Sequence, residues 1–537
     1  MEESVNDGDD TSLCRTLWLM TALFAITAAW MIFFQPLEKA VAFAAMDDGL
    51  YYPRLAQNII ARGMCTYDGV TVTNGFHPLW LLVLLPVYGL IHNPWLALRG
   101  VYAVILITQL ASIVLLAFIA RRTRMTATGL AVAVFILFLN IRSFTIFFSF
   151  LESPLVLFTL LSYLAFCLCA GCRRFENPRY AFIAGVLTGF CFLARLDSFL
   201  LPVAYGAVLL TRLLRHREPW RSGLLSSGLA AAGCLTLTVP YLLWNWITFG
   251  HLQTVSAFQK TASFSPSASW KMISGWCLNQ FIPRVQHILG LQNISSKLLL
   301  GGLLLSGLLA TVYLLTGARR RRLADKLRFC PEFPIFVGMH ALFIVLAAPH
   351  DAAASAWYWI PELTLVALAG AAALPDIRWA GILVIPSLII LLVGTQLWIY
   401  PALVERKTMS WAKLEVARVL RENTPSSLRG AMFDSGIVSY FSQRDFTGLN
   451  GLIGDFEHAA LMREKKYAIA LERCGVGLLV LDTPKELIPE LISNVFYKTE
   501  IETKFENFNE PPKPFVVYRG SPEDLQRVWN VRYGGRR

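Results

Sequence analysis

Apolar runs of roughly 15 to 25 residues recur along the first 400 positions, separated by short polar loops. A helix needs about 20 apolar residues to cross hydrocarbon, and shorter ones serve where the bilayer thins or protein surrounds them. The pattern predicts eleven spans, at 14–35, 96–120, 125–142, 153–171, 179–194, 197–212, 223–247, 298–317, 332–348, 356–374 and 378–400. A further apolar segment, 78–91 (PLWLLVLLPVYGLI), is short and carries Pro86. It predicts an interfacial or re-entrant helix rather than a span.

Past residue 400 the pattern changes. Short apolar runs at 430–433 and 476–481 read as buried strands, and amphipathic stretches at 411–421 and 456–472 read as helices. Segments 434–441 and 448–452 look like strand-to-turn junctions. Strands alternating with helices predict a small soluble α/β domain over 401–537.

Charge fixes an expected orientation. Arginines cluster at 121–124, 173–179, 212–221 and 319–322, after the second, fourth, sixth and eighth predicted spans. With the tail 1–13 in the cytoplasm, all four clusters fall inside, as the positive-inside rule demands. Counting 78–91 as a span would place the later clusters outside. The first outer loop is then 36–95, and the C-terminal domain is extracytoplasmic. The acidic residues near the N-terminus lack the basic flank of a cleaved signal, so the first span reads as a retained anchor.

Composition agrees with this picture. The 537 residues are 55% hydrophobic and 16% charged, the balance of a polytopic membrane protein with a soluble part. The net charge of +12 lies in the loop clusters and is a topology signal, which argues against a nucleic-acid partner. The ten cysteines show no metal-ligand spacing. Cys65, Cys277 and Cys474 would face the oxidising side, which leaves a Cys65–Cys277 disulfide open.

The chemistry-bearing residues converge on the outer face. The first loop holds Met46-Asp47-Asp48-Gly49-Leu50-Tyr51-Tyr52-Pro53-Arg54, then Asp68-Gly69, then Thr73-Asn74-Gly75-Phe76-His77-Pro78-Leu79-Trp80. Glu152, Arg195-Leu196-Asp197, Trp357-Tyr358-Trp359 and His350-Asp351 share that side. Carboxylates beside hydrocarbon lose hydration and are costly unless they serve a purpose. One of the acidic pair can deprotonate a hydroxyl nucleophile. Plainer readings stand beside this one. Asp48 can cap an interfacial helix, and Glu152 can sit at a helix N-terminus where the dipole favours it. Arg195 can pair only with Asp197, His77 can mark a helix boundary, and the 357–359 aromatics can form an interfacial belt.

The acidic pair after the first span, the aromatic helix ending near an arginine, and the Asn74-Gly75-Phe76-His77-Pro78 segment resemble the GT-C glycosyltransferases. The resemblance extends through residues 14–400. It is closest to the branch containing bacterial protein O-mannosyltransferases, the aminoarabinose transferase of lipid A and mycobacterial arabinofuranosyltransferases. It implies a multi-pass enzyme of the bacterial inner membrane. The enzyme would move a sugar from a polyprenyl-phosphate donor to an extracytoplasmic acceptor, with inversion. Asp47 matches the usual candidate base, Asp48 the second acid, and Glu152 an acid that in some relatives assists catalysis or binds metal. Arg195 matches a lipid-phosphate contact, with Arg54, His77 and Tyr358 as further substrate-binding candidates. Asp47, Asp48 and Glu152 together offer oxygen ligands for Ca²⁺ or Mg²⁺. The absence of a P-loop glycine pattern favours a lipid-linked donor over a nucleotide sugar. A different class, a transporter or lipid flippase with an outer charged gate, would show internal repeats and broken helices near mid-membrane. No repeat is evident.

Overall fold

The computed structural model describes residues 7–215, 220–261, 329–347, 356–373, 408–481, 497–501 and 515–519. The expected spans 298–317 and 378–400, together with Cys277 and His350-Asp351, lie outside the described residues.

The helices are α1 (Asp7–Ala29), α2 (Leu37–Ala44), α3 (Asp47–Arg62), α4 (Pro78–Leu90), α5 (Pro94–Arg122), α6 (Ala127–Val134), α7 (Ile141–Phe147) and α8 (Ser153–Ala170). There follow α9 (Arg173–Glu176), α10 (Pro178–Ala194), α11 (Leu200–Leu214), α12 (Trp220–Phe249), α13 (Val255–Thr261), α14 (Glu332–Ala347) and α15 (Ile360–Ala373). Among the described residues, five helical segments are long and apolar enough to cross a membrane: Leu17–Phe34, Pro94–Arg122, Ser153–Ala170, Leu196–Leu214 and Trp220–Phe249. The chain is an integral membrane protein. Pro78–Leu90, Ala127–Leu139, Pro178–Ala194 and Glu332–Val345 are shorter apolar helices. The described residues therefore show fewer full-length spans than the eleven expected. The segment expected at 125–142 illustrates why. A π-helical turn, Phe135–Leu139, ends at Asn140, whose side chain accepts a hydrogen bond from the Ser143 amide at 2.9 Å and starts α7. An apolar run thus contains a capped break that hydropathy alone does not register.

Close helix packing rests on small residues. A Cβ on Gly185 of α10 would lie 1.9 Å from the Ala230 carbonyl oxygen of α12, and one on Gly233 would lie 2.3 Å from that of Phe182. Backbones in van der Waals contact are how helices associate where lipid removes the hydrophobic drive. At the end of α8 away from the site, Glu332 receives Arg174 (Nε 2.9 Å, NH2 3.0 Å) and the Tyr163 hydroxyl (2.8 Å), tying α8, α9 and α14 together.

The C-terminal part is a five-stranded sheet with strands β1 (Gly430–Met432), β2 (Phe446–Gly448), β3 (Leu478–Leu481), β4 (Tyr497–Ile501) and β5 (Phe515–Arg519), in the order β2-β1-β3-β5-β4. The β1–β2 and β1–β3 pairs are parallel, and β3–β5 and β4–β5 are antiparallel. Around it lie α16 (Thr408–Asn423), α17 (Gly436–Ser442), α18 (Phe456–Arg463) and α19 (Tyr467–Arg473). Two local expectations change. Segment 434–441 enters α17 rather than a turn alone. The single helix expected over 456–472 is two, because Lys465 adopts φ 57° between α18 and α19.

Candidate active site

Helix α3 is the organising element. It begins at Met46, whose extended backbone provides the N-cap without a side-chain bond, so neither aspartate caps it. Both acids lie in its first turn, where the helix dipole favours negative charge. Their side chains nevertheless diverge.

Asp47 turns toward the sheet domain. Its Oδ2 accepts from Lys413 Nζ at 2.7 Å, and its Oδ1 accepts from the Ile437 amide at 3.1 Å. Gly436 makes this approach possible, since a Cβ there would lie 1.8 Å from the Asp47 carbonyl oxygen. Lys413 is only 3% exposed and also donates to the Asp434 carbonyl at 2.7 Å.

Asp48 turns the other way, into a half-open pocket of about 60 Å³ lined by Tyr52, His77, Glu152, Arg195, Lys260 and Tyr358, among others. Burial raises its carboxyl to about 6; Lys260 opposes the shift, while Asp434 and Asp47 add to it. Tyr51 and Tyr52, three and four residues along, face the same pocket because residues so spaced share a helix side.

Glu152 forms the pocket's opposite wall. It is the N-cap of α8 but makes no cap bond. Instead its Oε1 accepts from Arg195 NH1 at 2.8 Å, and its Oε2 accepts from the Tyr52 hydroxyl at 3.0 Å. Arg195 Nε also donates to Asp197 at 2.8 Å, and its guanidinium lies 4.1 Å from the centre of the Tyr358 ring. This answers the pairing question: Arg195 holds Asp197 and Glu152 at once. Behind it, His340 Nδ1 lies 2.8 Å from Glu362 and Nε2 lies 3.5 Å from Asp197.

His77 is the N-cap residue of α4. Its Nδ1 accepts from the Leu196 amide at 3.3 Å, which places the ring proton on Nε2, 3.5 Å from Glu152. Burial lowers its pKa, with Glu152 opposing, so the ring stays neutral. Asn74 supports this loop: it donates to Asn245 Oδ1 at 3.1 Å and accepts from the Val255 amide at 2.8 Å, joining it to α12 and α13.

The structure therefore brings Asp48, Glu152, His77, Arg195 and Tyr358 together. Asp47 and Arg54 lie elsewhere. Arg54 projects from the far side of α3, where NH2 bonds Asp445 at 2.8 Å, so it has no contact with this pocket. The tripartite oxygen site for Ca²⁺ or Mg²⁺ is not assembled either. Asp47 is neutralised by Lys413 and Glu152 by Arg195, and the two acids face different ways. Among the described residues, the ligand atoms close enough to hold a divalent ion are those of Cys167, Cys330 and Glu332, at the other end of α8.

Sequence reasoning passed over two cations. Lys260, from α13, donates to the Tyr358 hydroxyl at 2.8 Å and sits against Asp48. Burial alone would lower its pKa, but Tyr358 and Asp48 carry it upward, so the amine is charged. Nothing in its local sequence marks it out. Lys413 did leave a signal: it shares the buried stripe of α16 with Ala417 and Leu420, and a charge on an apolar stripe requires a partner.

The fold has counterparts among solved structures. The aminoarabinose transferase ArnT from Cupriavidus metallidurans, bound to undecaprenyl phosphate, superposes with a TM-score of 0.54 at 15% identity, covering 94% of this chain and 98% of that one. Its apo state gives 0.52 at 14% identity, covering 95% and 99%. The chain has the GT-C fold. Oligosaccharyltransferase AglB from Archaeoglobus fulgidus, in complex with an inhibitory peptide and a dolichol-phosphate, matches at 13% identity over 95% and 74% of the two chains. Its TM-score of 0.47 is too low to add to the argument. No protein-family model matches the sequence, and no curated protein matches it. The GT-C fold agrees with the expectation from the first outer loop.

Proposed function

We propose that the protein is a glycosyltransferase that moves a sugar from a polyprenyl-phosphate donor to an acceptor hydroxyl on the extracytoplasmic side, with inversion. The observation that carries this reading is the pairing, in one pocket, of a carboxylate with a raised pKa and two cations, Arg195 and Lys260. The GT-C fold, seen with undecaprenyl phosphate in ArnT, supports a lipid-linked donor.

The base in this reading is Asp48, not Asp47. Asp47 spends both oxygens on Lys413 and Ile437, whereas Asp48 makes no ion pair among the described residues and faces the pocket. A carboxylate near pH 6 is ionised at neutrality yet basic enough to accept a proton from a hydroxyl as attack proceeds. The acceptor oxygen forms the new bond to the anomeric carbon as the carbon–phosphate-oxygen bond breaks. The proton passes to Asp48, and the electron pair leaves with the phosphate. A polyprenyl phosphate is a good leaving group, so the second acid common in glycoside hydrolysis is unnecessary. Glu152 accordingly serves as the countercharge that positions Arg195. Lys260 and the outer edge of Arg195 stabilise the departing phosphate.

The pocket's volume is below the 300–1,000 Å³ usual for small-molecule sites. The pocket is half open, so a bound sugar extends beyond its walls. The test is release of polyprenyl phosphate from lipid-linked sugars in membranes containing the wild type, Asp48→Asn or Lys260→Ala. Wild-type release that disappears in both variants, at unchanged protein levels, supports the reading. Release unaffected by both removes it.

A further inference from the structure

Helix α3 has a second functional side. Asp48, Tyr51 and Tyr52 face the pocket, while Arg54, Gln57, Asn58 and Ala61 face a separate groove of about 940 Å³ between α3, the α4–α5 junction and the sheet domain. Three guanidinium groups, from Arg54, Arg62 and Arg429, line this groove against one carboxylate, Asp445.

Asp445 does not satisfy them. It bonds Arg54 NH2 at 2.8 Å and Arg62 NH2 at 2.8 Å. Gly69, with φ +74°, lets Arg62 reach it, for a Cβ there would lie 2.1 Å from Arg62 NH1 and 2.5 Å from Asp445 Oδ2. Arg429 makes no side-chain ion pair among the described residues. Arg54 is the telling group: its side chain is only 7% exposed, and its buried Nε–H has no acceptor. Its charge adds to those of Arg62 and Arg429, so the three guanidinium groups exceed the one lining carboxylate by two positive charges, and an anion in the groove offsets that excess.

The groove also borders exposed aliphatic side chains. It runs beside Ile60 and Ile91, and the adjoining Leu90 and Ile60 are 82% and 46% exposed. Pro94, at the start of α5, closes its edge at the end of that span remote from Arg121 and Arg122. Anionic recognition beside exposed aliphatic side chains at a span terminus is the chemistry of a lipid headgroup.

We propose that this groove binds the phosphate-bearing headgroup of an anionic glycerophospholipid through Arg54, Arg62 and Arg429, with the acyl chains against Ile60 and Leu90. The site is distinct from the reaction pocket and does not depend on the transferase reading.

The experiment is native mass spectrometry of the purified full chain in detergent, titrated with phosphatidylglycerol, phosphatidylcholine or glycerol 1-phosphate. The wild type should prefer phosphatidylglycerol to phosphatidylcholine, and glycerol 1-phosphate should not displace it. Arg429→Gln, which removes no ion pair among the described residues, should weaken phosphatidylglycerol binding by roughly tenfold. Asp445→Asn, which removes the competing carboxylate, should strengthen it. Equal retention of the two lipids, or binding unchanged in both variants, would overturn the proposal. Displacement by glycerol 1-phosphate as effective as by lipid would show a soluble-anion site and overturn the lipid assignment.

Discussion

The sharpest prediction separates the two neighbouring aspartates. With Asp48 at about 6 against an ordinary 3.8, the ionised fraction is about 0.9 at pH 7 and about 0.1 at pH 5. A reaction that needs the carboxylate should therefore slow about tenfold between those two pH values, because lowering pH through 6 protonates the base. A carboxylate at 3.8 would stay more than nine-tenths ionised at pH 5 and produce almost no slowing. Asp48→Asn keeps the size and removes the basic lone pairs, so turnover should fall by about 10²–10⁴ and lose its acid limb. Asp47→Asn acts differently. It leaves Lys413, 3% exposed, without its partner, and breaking a buried pair costs about 3–5 kcal/mol of stability. The assay is polyprenyl-phosphate release in membranes from pH 5 to 8, read by mass spectrometry, with thermal melting of each purified variant. A wild-type rate flat to pH 5, or Asp48→Asn turning over within tenfold of wild type, would refute the reasoning. So would an Asp47→Asn variant that melts normally yet has lost the acid limb.

Arg195→Ala should both weaken donor binding and destabilise the fold by about 3–5 kcal/mol, because it strands Glu152 and Asp197 together; comparing melting curves with Arg195→Lys separates the two effects. Lys260→Ala should lower donor affinity by roughly 10–150-fold while leaving melting nearly unchanged, as checked by donor titration in nanodiscs. Gly185→Leu should cut the yield of folded protein, since its side chain would meet the Ala230 carbonyl; size-exclusion profiles in detergent report this. A chelator should leave turnover intact, because the acids once expected to share a cation each face a protein cation or stand apart; loss of activity rescued by Ca²⁺ or Mg²⁺ would contradict that.

What could be read from the chain follows the range of the interactions involved. Apolar runs and arginine loops report a helix's relation to lipid locally, so α5, α8 and the short α4 appear near their expected places. Strands β1 and β3 were visible because buried strands carry continuous apolar residues. The meeting of Glu152 with Arg195 could be expected only as a shared face, and their 2.8 Å contact depends on helix packing. The roles of Asp47 and Arg54 were hidden because their partners, Lys413 and Asp445, lie 366 and 391 residues away. The break at Lys465 lies in a run of four charged residues, Arg463 to Lys466, which a solvated helix face also tolerates, so the backbone angle decides the division.

The adjacency of Asp47 and Asp48 bears on how chains of this fold can be recombined. One peptide unit separates a side chain bolted to the sheet domain from the one that faces the reacting pocket. Grafting the membrane part of this chain onto a relative's C-terminal domain would then replace the mount of α3, not merely an appended domain. A chimera that lacks a lysine equivalent to Lys413, or a glycine equivalent to Gly436, would leave the first turn of α3 unanchored. The loss would appear as misalignment of Asp48, and displacements of about an ångström at a reacting group are enough to cost two orders of magnitude in rate. Functional exchange of domains in this architecture should thus track those two positions more closely than overall sequence similarity.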